Sequence, residues 1–180
     1  MGLEQSASDM LKKYVGRIDR STQNLLRMVT NLIDISKIEQ GTMQLNLEIT
    51  NFNEVLENVI NKFRDYQEYS SKVIHTELSP GLPLVHIDRP VMEQVFDNLL
   101  SFSIPNVPSD GKIEIKTCMD DDMLVLSIHD FGVQIPQKYK DQIFEKYSQV
   151  QIKDEGFRLS RALGFTFSRM AAEAHGGSLR

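Results

Sequence analysis

Asp130 and Gly132 carry the clearest chemical signal in this chain. They lie in SIHDFGVQIPQKYKDQIFEKYSQV, residues 127–150, where an apolar strand through Leu124, Leu126 and Ile128 delivers an acid to its carboxyl end. The chain then turns at Gly132 and Pro136. A carboxylate placed there, beside a glycine that lets backbone come close, suits recognition of a base or an amine. The same D-x-G spacing also serves as an ordinary turn. Asp120, Asp121 and Asp122 invite a metal, but consecutive residues of a tight turn point in different directions, which favours a solvated hairpin turn. Cys118, the single cysteine, cannot close an internal disulfide and reads as a small core residue on a strand, which suits a reducing compartment.

Bulk properties limit what surrounds these groups. A chain of 180 residues, 41% hydrophobic and 25% charged, can bury one core with room for one additional long helix. The net charge of −5 argues against a general nucleic-acid or anionic-membrane surface. No apolar run approaches the roughly 20 residues that span a bilayer, and Met1-Gly2-Leu3-Glu4 is not a signal peptide. The expectation is a cytoplasmic protein, or one whose membrane sensor lies upstream.

Residues 4–40 read as one proline-free helix ended by Gly41. Leu11, Val15, Ile18, Leu25, Val29 and Leu32 recur in steps of four and three, a heptad seam with Thr22 and Ser36 as its polar members. Leu26, Met28, Ile33 and Ile35 widen the stripe, so the helix wants several neighbours. Two arrangements satisfy it: packing along its own domain, or one half of a helical hairpin in a dimeric four-helix bundle. After Gly41 the pattern predicts a strand over residues 45–50, a helix over 54–69 capped by Asn51 or Asn53, and strands over 72–78 and 84–87. Asp88 and Pro90 then open a helix with Val91, Val95, Phe96, Leu99 and Leu100 inward. A hairpin follows over residues 112–119 and 123–128, and a closing helix over 164–175 turns Phe167, Met170, Ala171 and Ala174 inward before Gly176-Gly177.

EQVFDNLL, DFGVQIP, IFEKY and LGFTFSRMAAEAHGG, in that order, resemble the motif set of sensor histidine kinases. LIDISKIEQG, residues 32–41, is similar to the end of that family's second dimerisation helix, so the resemblance covers nearly the whole chain. It implies a two-layer α/β sandwich of the histidine-kinase ATPase type, a mixed sheet with helices on one face. Residues 1–42 would be a dimerisation helix, and residues 43–180 an ATP-binding domain lacking the final hairpin with which relatives complete the sheet edge. The implied cofactors are ATP and magnesium, and the implied partners are a response regulator or a cognate histidine kinase, with a homodimer through the N-terminal helix. By the same resemblance Asn98, Asp130, Gly132, Arg158 and Gly164 become nucleotide contacts, Asp130 holding the adenine amino group. Phe144 and Tyr147 would anchor a lid over residues 149–160, whose Lys153 and Arg158, with Arg161, would face phosphate unless they are simply a solvated loop.

Several letters depart from the pattern. Where the family has N-L-L-x-N-A-x-K this chain has NLLSFSIP, so Phe102 replaces an asparagine that helps to hold magnesium, and a phenyl ring offers no hard oxygen ligand. Pro105 replaces a phosphate-facing lysine and is expected to end its helix early. Gln134 replaces a glycine, a cost on the order of 1 kcal/mol if the position needs positive φ. Ala162 replaces a glycine of G-x-G-L-G-L, of which only Gly164 is kept. None of His75, His86, His129 and His175 lies in the bundle region, so the phosphoacceptor is absent from these residues. The expected protein is a degenerate signalling module with weak or absent Mg-ATP binding. A working ATP-binding domain with its phosphoacceptor helix upstream is the alternative, and the LIDISKIEQG ending weighs against an ATPase outside signalling.

Overall fold

The computed structural model describes residues 2–64, 72–108, 110–132, 134–140, 142–145 and 162–180. The proline-free opening forms α1, Gly2–Glu39, about 57 Å long at roughly 1.5 Å per residue. Gly41 stops it with φ +64°, a conformation that suits glycine. The seam residues Leu11, Val15, Ile18, Leu25, Val29 and Leu32 are 47–67% exposed. The second line divides: Leu26 and Ile33 are exposed, whereas Ile35 is buried in the core and Ile38 packs against it.

β1 is Glu48–Thr50, shorter than the expected strand over 45–50, because its antiparallel partner β3, Val85–Ile87, offers only three residues for pairing. α2, Phe52–Arg64, begins at Asn51, whose side-chain oxygen accepts the Glu54 amide at 3.3 Å. Asn53 is used elsewhere, donating to the Ser79 carbonyl and accepting from Thr117. Val55, Leu56, Val59, Ile60 and Phe63 are all buried, as their spacing predicts. The expected extension of this helix to residue 69 falls outside the described residues. β2, Val73–Leu78, runs parallel to β4, Lys112–Asp120, and β4 pairs antiparallel with β5, Met123–Asp130. Asp121 takes φ +51° in the β4–β5 turn. The sheet is therefore mixed, and its inner face (Ile113, Ile115, Thr117) meets the helices, whereas Cys118, expected in the core, follows Thr117 on β4 and is exposed.

α3, Arg89–Asn106, starts at Asp88, whose Oδ1 accepts the Val91 amide at 3.1 Å, with Pro90 in the first turn. Asp88 Oδ2 also accepts the Asn46 amide at 2.8 Å, and the Asp88 amide donates to His175 Nε2 at 3.0 Å. His175 Nδ1 lies 2.7 Å from the Ala171 carbonyl, so the proton sits on Nδ1 and Nε2 is free to accept. One residue thus ties the approach to β1, the start of α3 and the end of the closing helix α4, Ala162–Ala174. Pro105 does not end α3 early: the helix runs one residue past it, because the proline occupies the last turn. There Lys72 Nζ donates to the carbonyls of Ile104 and Val107. Burial pushes the pKa of the Lys72 ammonium down.

In α4, Phe167 and Ala171 are buried and Met170 packs on the core. Ala174, expected inward, is exposed because the helix stops in its next turn. There Gly176 adopts φ +79° and its amide reaches the Glu173 carbonyl, while Gly177 reaches that of Ala172. The core joins the faces of α2, α3 and α4 with Ile113 and Ile115, and Phe52 meets Phe96 edge-on at 5.1 Å. Replacing Asp88 with alanine removes a helix cap and a second amide partner, so urea unfolding should show a loss of about 2 kcal/mol. A loss below about 0.5 kcal/mol, the level of an ordinary surface substitution, contradicts the tie.

Candidate functional site

Asn98, Phe102 and Asn106 are spaced by four on α3 and form one row along the helix. Each meets a different neighbour. At Asn106 the neighbour is backbone: a Cβ at Gly132 would lie 2.5 Å from the Asn106 carbonyl oxygen, closer than atoms pack. The D-x-G turn is thus pressed against the end of α3, and glycine is required by that approach. The Gly132 amide donates to Asp130 Oδ1 at 3.3 Å, which fixes the carboxylate at the end of β5. Phe131, between them, stacks on His129 with centroids 4.2 Å apart, and the Lys112 ammonium sits 4.3 Å from its ring centre.

Phe102 is buried and meets Phe165 edge-on at 4.6 Å. Phe165 in turn meets Phe144 at 5.9 Å, and the Arg169 guanidinium lies 5.4 Å from the Phe144 ring centre. Three phenyl rings therefore occupy the middle of the row. Ile143 packs with Ile135, Tyr139 and Phe144 in a separate small cluster beside them.

The third neighbour is α1. Asn98 and Asn31 exchange two hydrogen bonds of 3.1 Å, each amide donating to the other's oxygen, and both residues are buried. Gln94 donates to Asn31 Oδ1 at 2.9 Å and to Asp34 Oδ2 at 3.1 Å. Arg27 donates to Asp97 and to Ser101. Gly164 closes the far side: a Cβ there would lie 3.1–3.2 Å from the Asn98 side chain. Only about 20 Å³ of cavity remains where these groups meet, room for about one water.

The structure therefore brings Asn98 and Gly164 into contact and places Asp130 and Gly132 at the other end of the same row. Gln134 is exposed and has no positive φ, so the strain expected of a side chain there does not arise. Pro105 is exposed in the last turn of α3, and Ala162 opens α4. Tyr147, Lys153, Arg158, Arg161 and the expected lid over 149–160 lie outside the described residues. Sequence reasoning missed Arg27 and Asn31. The available signal was a polar line, residues 27, 31 and 34, opposite the apolar seam.

Magnesium needs near-octahedral oxygen ligation. Phe102 supplies none, the Asn98 oxygen already accepts from Asn31, and among the described residues no cluster of three or more His, Cys, Asp or Glu side chains could hold a metal ion.

The family described as histidine kinase-, DNA gyrase B- and HSP90-like ATPase matches residues 87–180, just over half of the chain, and the chain belongs to it. Within that family its relatives are sensor histidine kinases. It is 26% identical over 181 residues to histidine kinase P4 of Formosa agariphila, covering 99% of this chain and 13% of that protein. With sensor histidine kinase WalK of Bacillus subtilis it shares 24% identity over 95% of this chain and 28% of the relative. The chain thus spans well under half the length of these relatives. Among solved structures, the histidine kinase AdeS of Acinetobacter baumannii superposes with a TM-score of 0.64 at 25% identity, covering 81% of this chain and 65% of that one. The histidine kinase ThkA, solved in complex with the response regulator TrrA, superposes at 0.68 with 23% identity over 93% of this chain and 45% of that one. The mixed sheet with its helices is accordingly the fold of the histidine-kinase catalytic ATPase domain.

Gly132→Ala drives a methyl into the Asn106 carbonyl and should cost about 1–3 kcal/mol, read by urea or thermal unfolding. An unchanged midpoint shows that α3 and the D-x-G turn are not held in this contact.

Proposed function

We propose that the chain is a histidine-kinase-type module of a two-component system whose Mg-ATP site is impaired. It acts in the cytoplasm by pairing with a second copy through α1 and by binding a response regulator or a cognate histidine kinase. The observation that carries the impairment is Phe102: at the position where the resemblance puts a magnesium-holding asparagine, a buried phenyl ring packs on Phe165. ATP brings about four negative charges, which need a cation and positive side chains to offset them. The chain itself carries a net charge of −5, and Pro105 stands where the family has lysine. Pairing is supported by the apolar stripe of α1, which stays exposed from Leu11 to Leu32. No helix among the described residues is long and apolar enough to cross a membrane. Partner binding is supported by the likeness to ThkA, which was solved with its response regulator.

A second reading has its own support. Asp130 and Gly132 keep the turn that in relatives receives adenine, and Asn98 keeps its place, so an active ATP-binding domain served by an upstream phosphoacceptor helix retains one intact end. Calorimetry with ATP, with and without magnesium, separates the two. The impaired reading expects dissociation constants weaker than about 1 mM for the unaltered chain, near the −4 kcal/mol limit of practical detection. Phe102→Asn with Gln134→Gly should then bind at least about tenfold tighter in magnesium, a gain of roughly 1.4 kcal/mol. Tight magnesium-dependent binding by the unaltered chain establishes the active reading instead. For pairing, sedimentation should find a dimer that Leu25→Glu with Leu32→Glu converts to monomer, and a monomer before substitution removes that part of the proposal.

A further inference from the structure

The geometry points to a role for Asn98 that its motif does not give it: with Gln94, Asp97 and Ser101 it forms the docking face on α3 that latches α1 in one discrete position. The occupant is this chain's own helix, seated through Arg27, Asn31 and Asp34. The Asn31–Asn98 pair is reciprocal, each amide donating to the other's oxygen, and both side chains are buried beside a cavity with room for about one water. Gln94 joins Asn31 to Asp34, and Arg27 closes the patch on Asp97 and Ser101. Apolar packing of α1 along α4 shares in this seat. Of the large apolar residues on the last three turns of α1, Ile35 and Ile38 pack on the core, while Val29, Leu32 and Ile33 stay exposed.

A polar seat of this kind tolerates little displacement. Rotating α1 by one residue, about 100°, carries Asn31 off the row and leaves Asn98 buried without a partner. Docked and released are therefore separate states, not points on a slide. Gly164 extends the latch, since its missing side chain is what lets the start of α4 lie against Asn98. Movement of α1 is in this way felt at the first turn of α4 and along the α3 row, whether or not the domain binds ATP.

The test is a double-mutant cycle read by hydrogen exchange on the whole chain without nucleotide, so its outcome is independent of the Mg-ATP reading. Asn31→Leu and Asn98→Leu each strand one buried amide when α1 is docked, and each should speed exchange of the residue 31–38 amides by about ten- to hundredfold. The double substitution replaces both partners with apolar groups of similar size and should return protection to within about threefold of the unaltered chain. Arg27→Ala should give a smaller acceleration in the same segment. If neither single change alters exchange of α1, or if the double change is as fast as the two single effects multiplied, Asn98 does not hold α1 and the latch is wrong. Should a variant unfold globally, exchange rises in β4 as well, and Arg27→Ala, which leaves the amide pair intact, then decides: protection unchanged in residues 31–38 overturns the latch.

Discussion

Two backbone approaches to α3 govern the rest of the structure. At Gly132 the turn after β5 touches the carbonyl of the helix's last residue, and at Gly164 the first turn of α4 lies against Asn98. Neither approach leaves space for a β-carbon to stand at ordinary distance. Because the two glycines face the same row of α3, the helix becomes a spine against which the acid-bearing strand end, the closing helix and α1 are all measured. Asp88 then sets where that spine begins, holding its first turn, the Asn46 backbone and, through His175, the end of α4.

Between the two approaches the row is filled by aromatic rings. Phe102 and Phe165 belong to segments far apart in the chain, yet they meet edge-on and bury apolar surface against each other. Phe144 continues the cluster, and Arg169 covers its outer face. The polar groups of the site are thereby separated: Asp130 lies at one end, and Asn98, engaged by α1, at the other.

Much of the framework was legible from local chemistry. Asp88 followed by Pro90, the glycines at 41 and 176, and the three-four spacing of α2 each name a boundary or a buried face through interactions within a few residues, and the structure keeps them. What escaped depends on partners distant in sequence. β1 shrank because its partner strand is short, Pro105 stayed helical because it falls in the final turn, and Ala174 faces solvent because the helix stops just beyond it. Nothing local marks Asn31 as paired, and only tertiary contact gives it a partner 67 residues away. The strain expected at Gln134 was a conditional inference from its motif, and the backbone there never adopts the conformation that would have produced it.

α1 is held near its carboxyl end, and Met10, Leu11, Val15 and Ile18 farther back along it are exposed. From Ile35 back to Met10 is about 37 Å at roughly 1.5 Å per residue, so a tilt of about 5° at the seat swings the far tip by about 3 Å. Geometrically the helix is a lever with a short arm against α3 and a long arm that carries the apolar stripe. A push of a few ångströms at its distant end would arrive at the amide pair as a displacement of a few tenths.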